Sequence, residues 1–253
     1  MILQDLLKKA DAYRDKIQSA RPLSKEELKS LDEYFRVDLT YSSNALEGNT
    51  LTISETKILL EDGLTVNGKP IKDCYETIGH AEAYDYMLGL ARQTDLQITE
   101  NVIKHLHYLF YRRIDMDNAG KYRTSQVYIS GSEYIPPSPE GVPHLMEHFI
   151  SQWESSRKSL HPIELATMCH KRLVDIHPFL DGNGRTARLL MNIILVNAGY
   201  GVVSIPPVLR HDYINTLVIS QTEQNTDLFL KLIAECVIET ERDYCRLLNI
   251  SMK

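Results

Sequence analysis

The stretch His177-Pro178-Phe179-Leu180-Asp181-Gly182-Asn183-Gly184-Arg185-Thr186-Ala187-Arg188 decides how the rest of the chain is read. Gly182, Asn183 and Gly184 are the residue types that most easily take positive φ, so their successive amides can converge on one concavity at a helix start. That is an anion nest. Arg185 and Arg188, three apart, share a helix face in the first turns, where the macrodipole disfavours cations unless an anion is bound beside them. Their placement predicts phosphate. His177 can remove a proton near neutral pH, and Asp181 can hold a hard cation such as Mg²⁺. A base, a metal ligand and an anion nest thus fall within one short stretch.

Outward from this segment the periodicity is helical. Leu189, Leu190, Ile193, Ile194 and Val196 make the following helix apolar, with Asn192, Asn197, Gly199, Gly201 and Pro206–Pro207 interrupting the charge-free run to Leu209. This predicts a buried core helix ending at Gly199 and not a membrane span. Leu3, Leu6, Leu7, Ala10, Tyr13 and Ile17 fall on one face of a first helix, the Arg21–Pro22 pair ends it, and Ser24-x-x-Glu27 is a capping box opening a second. Thr52-x-x-Glu55 caps a short helix that stops at Gly63. Further helices are predicted over 72–91 and 100–113, after Pro143 and Pro162 in two first turns, and over 209–221 and 226–248. Gln126–Ser130 and Glu133–Ile135 carry β-type residues on either side of Gly131–Ser132 and predict a single hairpin. The order is that of an all-α bundle with one small β-hairpin, divided into an N-terminal helical region, 1–70, and a core, 71–253.

Composition bounds the rest. The chain has 253 residues, 43% hydrophobic and 25% charged, with 12 Gly and 10 Pro, which is ordinary globular usage with enough apolar residues for a sizeable core. Lys and Arg number 28 against 34 Asp and Glu, a net charge of -6, so the whole protein has no attraction for nucleic acid or an anionic membrane and any anion site is local. Cys74, Cys169, Cys236 and Cys245 have no metal-binding spacing and suggest neither a zinc site nor a disulfide framework, as in a reducing, cytoplasmic compartment. The N-terminus alternates apolar and charged residues and reads as an amphipathic helix, not a secretory signal.

The segment resembles the signature of the Fic family, HPF-x-D/E-GNGR-x-x-R, at every defined position from His177 to Arg188. The hairpin followed by Tyr134–Ile135–Pro136–Pro137 is similar to that family's flap, and the resemblance extends over about residues 70–250. It implies a Fic-type helical bundle and transfer of AMP from ATP to a side-chain hydroxyl of a target protein. On these positions it implies that His177 deprotonates the hydroxyl and that Asp181 binds Mg²⁺ bridging the α- and β-phosphates. Gly182, Asn183, Gly184 and Arg185 would stabilise the developing charge, and Arg188 would hold the γ-phosphate. The intact GNGR implies the AMP-donating orientation of the triphosphate. The flap, with Val127, Tyr128 and Ile129, would offer an edge strand to an extended target segment.

Ser43–Asn44–Ala45–Leu46–Glu47–Gly48 resembles the S/T-x-x-x-E-G/N inhibitory motif of some members. It implies that Glu47, with Ser43 and Gly48 framing it, pairs bidentately with Arg188 and so displaces the γ-phosphate. The same glutamate could position water for removing AMP, a reversal the sequence leaves open beside a non-catalytic scaffold of the same fold. Self-association into a homo-oligomer, displacement of the Glu47 helix by a partner and self-modification at one of the 14 tyrosines are equally open as ways to relieve the brake. A different enzyme class is offered by His144, Glu147 and His148, an H-x-x-E-H zinc-peptidase pattern that lacks an identifiable third ligand. The other histidines, His80, His107 and His170 among them, read as packing or surface groups.

Overall fold

Capping chemistry sets the helix boundaries in the computed structural model, which describes residues 2–20, 22–65, 67–129 and 133–251. α1 (Leu3–Ser19) buries Leu6, Leu7, Ala10 and Ile17. Ser24 opens α2 (Lys25–Ala45): its hydroxyl accepts from the Glu27 amide at 3.1 Å, and the Glu27 carboxylate accepts from the Ser24 amide at 2.8 Å. Thr52 and Glu55 repeat the device at the start of α3 (Ile53–Glu61), and Thr99 caps α5 (Glu100–Tyr111) after α4 (Ile71–Ala91). Each such cap contributes about 1 kcal/mol by satisfying amides that have no partner within the helix. Proline stands in the first turns of α6 (Val142–Ser156) and α7 (Pro162–Ile176), where its missing N–H costs nothing. α8 (Asn183–Asn197), α9 (Arg210–Thr222) and α10 (Asp227–Leu247) complete the chain.

α8 is the axis of the bundle. It packs most extensively on α7, then on α4, and also touches α5 and α2. Leu189, Leu190, Met191, Ile193 and Leu195 are each 0% exposed, and burying a side chain of this size is worth about 1.5–3 kcal/mol. Asn192, also fully buried, is satisfied: its amide donates to the carbonyls of Arg188 and Val203 at 3.0 and 2.9 Å and its oxygen accepts from the Val203 amide at 2.7 Å. This is the predicted core helix, and no helix among the described residues is long and apolar enough to cross a membrane. α1 lies against α10, and Leu6, Leu7, Phe35 and Leu39 share one apolar cluster with Leu190, Phe229 and Val237. α1 and α2 therefore close over the same core as the later helices, while Leu51 and Leu59 form a small separate cluster with Cys74. All four cysteines are buried free thiols.

The expected hairpin is not seen among the described residues. No strand occurs among the described residues, and the turn at Ser130–Ser132 lies outside them. Glu133–Ile135 is followed at once by Pro136 and Pro137, which have no N–H for a ladder, and an isolated two-stranded ribbon is marginal in water. The two limbs are joined by a side chain instead, the Gln126 amide donating to the Pro136 carbonyl at 3.0 Å.

Candidate active site

α7 ends and α8 begins within a few residues of each other, and the loop between them carries the signature. His177 terminates α7 in the left-handed region, φ 50°, uncommon for a residue with a side chain. Gly182, φ 76°, opens α8, and a Cβ there would run into the Phe110 ring. Asn183 is buried and turns inward: its side chain accepts from the Phe179 amide and donates to the Phe179 carbonyl, both at 2.9 Å. It closes the loop on itself and contributes to the nest only through its backbone. The amides of Asn183, Gly184 and Arg185 begin the helix, where α-helical geometry leaves donors without an internal acceptor.

His177 is half-buried, and its Nδ1 faces the Val174 carbonyl at 3.3 Å, which places the proton on Nδ1 and the free lone pair on Nε2. Burial, the largest influence, and the positive charge of Arg123 hold the imidazole below its ordinary 6.5, against the Val174 contact and the carboxylates of Asp181 and Glu47. It is therefore a neutral acceptor at pH 7. Asp181 is half-exposed; one carboxylate oxygen accepts from the Gly182 amide at 2.6 Å and lies 3.7 Å from Arg185.

The loop rests on α5 through His107, which in sequence reads only as a packing residue. His107, 0% exposed, accepts at Nδ1 from the Gly120 amide, 2.9 Å. That fixes its proton on Nε2, which donates to the Asp181 carbonyl at 3.0 Å. The ring stacks on Phe179 at 3.9 Å, and burial pushes its pKa down to about 4, so it stays neutral. No motif marks this role, because the contacts are to backbone atoms remote in sequence.

The two arginines are sequestered. Arg185, 3% exposed, lies 4.2 Å over the Phe110 ring and pairs with Glu76 of α4 at 3.1 Å. Arg188, 1% exposed, has every terminal group engaged. Nε donates to the Ser43 hydroxyl at 2.9 Å, Nη1 to the Tyr213 hydroxyl at 3.1 Å, and Nη2 to the Ser43 carbonyl at 2.9 Å and Glu47 Oε1 at 2.7 Å. The expected bidentate fork with Glu47 is thus a single charged bond supplemented by Ser43, because the last turn of α2 presents its hydroxyl, its carbonyl and the carboxylate to the same guanidinium. Gly48 follows at φ 93°, a left-handed turn just past the α2 end. Behind Arg188, Tyr213 lies 3.1 Å from His170, whose pKa burial and the Arg188 charge press to about 3.

Glu47 also covers the start of α8: a Cβ on Gly184 would collide with its Oε1. Burial would raise this carboxyl, but Arg188, Arg185 and Arg210 prevail and hold it below its ordinary 4.5. Although 37% of the side chain is exposed, its carboxylate stands at the N-terminus of α8 and pairs with the cation beside it.

Residues 97–195, which contain this whole loop, match the family model described as Fic/DOC. These residues form a Fic/DOC domain. The protein adenylyltransferase Fic of Nematostella vectensis is 38% identical over 241 residues, covering 94% of this chain and 55% of that protein, and that of Aedes aegypti is 35% identical over 239 residues, covering 94% and 47%. The chain therefore spans about half the length of the curated relatives it matches. Among solved structures, a Fic domain containing signaling protein from Bacteroides thetaiotaomicron superimposes with a TM-score of 0.86 at 29% identity, over 97% of this chain and 100% of that one. Fic-1 from C. elegans gives 0.88 at 28% identity, over 98% and 73%. The helical bundle of this chain is thus the fold of these two Fic structures.

Other predicted groups stand apart from the loop. His144, Glu147 and His148 are exposed on α6, and no group of three or more His, Cys, Asp or Glu among the described residues is arranged to hold a metal ion. Val127 and Ile129 are partly buried and Tyr128 is 76% exposed, on the segment that follows Arg123.

Proposed function

We propose that this Fic protein transfers AMP from ATP to a hydroxyl group of a protein and that Glu47 restrains it. The observation that carries the reading is Arg188: a buried guanidinium one helical turn from the start of α8, with its charge met by the Glu47 carboxylate, which we read as standing where a phosphate would bind. The names of its relatives support the same activity.

In this scheme the acceptor hydroxyl loses its proton to His177 Nε2 as its oxygen forms a bond to the α-phosphorus. The bond from that phosphorus to the α–β bridging oxygen breaks, and the electron pair leaves with pyrophosphate. The amides at the start of α8 and the guanidinium of Arg185 face the charge that grows on the phosphate oxygens. Arg188, once released by Glu47, holds the γ-phosphate. The residues fit Mg²⁺ in a limited way: Asp181 offers one exposed carboxylate, its other ligands having to come from phosphate and water, as is usual for this ion. When bound, Mg²⁺ supplies neutralisation of the phosphate oxygens. Val127, Tyr128 and Ile129 receive the target segment, and the four buried thiols suit a cytoplasmic setting.

The test is Glu47→Gly protein incubated with ATP and Mg²⁺, followed by mass spectrometry of the protein and assay of released pyrophosphate. An adenylyl adduct with stoichiometric pyrophosphate is expected. Loss of AMP from a previously modified protein, with no adduct formed, would instead assign the site to the reverse, hydrolytic reaction. Nucleotide binding with neither would make the chain a scaffold.

A further inference from the structure

Arg123 lies outside the signature, outside the inhibitory motif and outside every helix. Its residue is 4% exposed, yet its guanidinium meets no carboxylate in an ion pair among the described residues; Glu140 acts on it only at a distance. Burial accordingly depresses its pKa. Among the described residues, the hydrogen-bond partners of its side chain are all backbone carbonyls. Nε donates to His177 at 2.8 Å, Nη1 to Ser125 at 3.0 Å and Nη2 to Pro137 at 2.5 Å, while its own amide donates to the Pro178 carbonyl at 2.9 Å.

A buried cation without a counter-ion is costly, and only a set of aligned dipoles makes it tolerable. These dipoles come from two places. One is the left-handed turn at His177, a conformation disfavoured by about 1–2 kcal/mol for a residue with a Cβ and held only where surroundings enforce it. The other is the pair of points, Ser125 and Pro137, where the chain leaves and rejoins the catalytic loop around the segment proposed to receive the target. A planar fork with five donors can span three carbonyls that diverge in this way; the single ammonium of lysine cannot.

We infer that Arg123 is a positioning residue: it fixes the backbone of His177 and ties Ser125 and Pro137 to it, so that the base and the chain at these two points are held as one unit. The inference rests on the reading of His177 as the base. No Arg123 contact reaches the amides of 183–185 or the guanidiniums of Arg185 and Arg188, so its loss acts on the chemical step and not on nucleotide binding.

The test uses the full chain with Glu47→Gly, alone and with Arg123→Lys or Arg123→Gln. Self-labelling from α-phosphate-labelled ATP gives the rate and the KM for ATP, thermal melting reports the fold, and hydrogen exchange is followed at 125–129, 133–137 and 177–181. Both Arg123 variants are expected to melt cooperatively and to keep the KM for ATP within about twofold, while the saturating rate falls by about 10- to 100-fold, the scale of losing a near-attack geometry. Lysine is not expected to rescue. Exchange should rise about tenfold or more in all three stretches together. A saturating rate unchanged in Arg123→Lys, a KM for ATP that rises as the rate falls, or failure of both variants to fold would overturn the inference, the last by making Arg123 a residue of the fold alone. Should Glu47→Gly itself fail to label, AMP transfer falls, and hydrogen exchange alone decides: protection unchanged in the three stretches overturns the role of Arg123, and concerted loss upholds the coupling of the two segments.

Discussion

Replacing Glu47 by glycine removes the one charged acceptor of Arg188 among the described residues and leaves the Ser43 and Tyr213 contacts in place. Breaking a fully buried ion pair costs about 3–5 kcal/mol. Glu47 keeps 37% of its side chain open to solvent, so the loss is smaller, about 1–3 kcal/mol. If that energy opposes the γ-phosphate in the intact protein, its removal strengthens ATP binding by about 5- to 150-fold, at about 1.4 kcal/mol per tenfold. Titration calorimetry with ATP and Mg²⁺ reads this directly, and α-labelled ATP reads the accompanying rise in transfer. Glu47→Gln, which keeps the shape and one weaker bond, is expected to fall between the two. Equal affinity and equal labelling in Glu47→Gly and the intact chain would refute the reasoning, because the carboxylate would then not compete with phosphate.

Three further outcomes follow from the same geometry. Ser43→Ala removes the acceptor of Arg188 Nε while leaving Glu47, and is expected to lower stability by about 1–3 kcal/mol in denaturant unfolding, the cost of an unpaired donor on a buried cation. Gly182→Ala places a methyl group against Phe110 at φ 76°, and should cost about 1–3 kcal/mol and depress activity through displacement of the Asp181 loop; a neutral substitution would contradict the left-handed N-cap. His107 and His170, each 0% exposed, have pKa values lowered to about 4 and about 3 from 6.5. The unfolded chain therefore binds protons that the folded chain refuses once the pH falls below about 6.5, so stability is lost on acidification, by about 2 kcal/mol per such histidine at pH 5. Melting followed from pH 7 to 5 should show this fall, and His107→Gln should lessen it.

The helices were legible because their ends are written locally. Ser24, Thr52, Pro143 and Pro162 each state a boundary through a cap or a missing amide, and the structure places α2, α3, α6 and α7 at those points. The loop from His177 to Arg188 was legible for a similar reason, its residue types being constrained by backbone conformation. The 126–135 segment misled because β-propensity measures fit to a neighbouring strand, and the proline pair removes the donors such a neighbour needs. Arg123 and His107 were invisible for a different reason. They act on carbonyls of Pro137, His177 and Asp181, and any residue in those places supplies a carbonyl, so no spacing records the contact. The single Glu47–Arg188 bond likewise depends on how α2 ends against α8, a packing detail that lies beyond the motif.

The central claim, that the α-phosphate is what passes to protein, is tested most directly by supplying ATP labelled at either the α- or the γ-phosphate, with Mg²⁺, to the intact chain, Glu47→Gly and Glu47→Gly/His177→Ala, alone and in lysate. Label on protein from α-labelled ATP only, strongest in the single variant and absent from the double, is the expected result. Label arriving from the γ-phosphate, or undiminished when His177 is alanine, would contradict it.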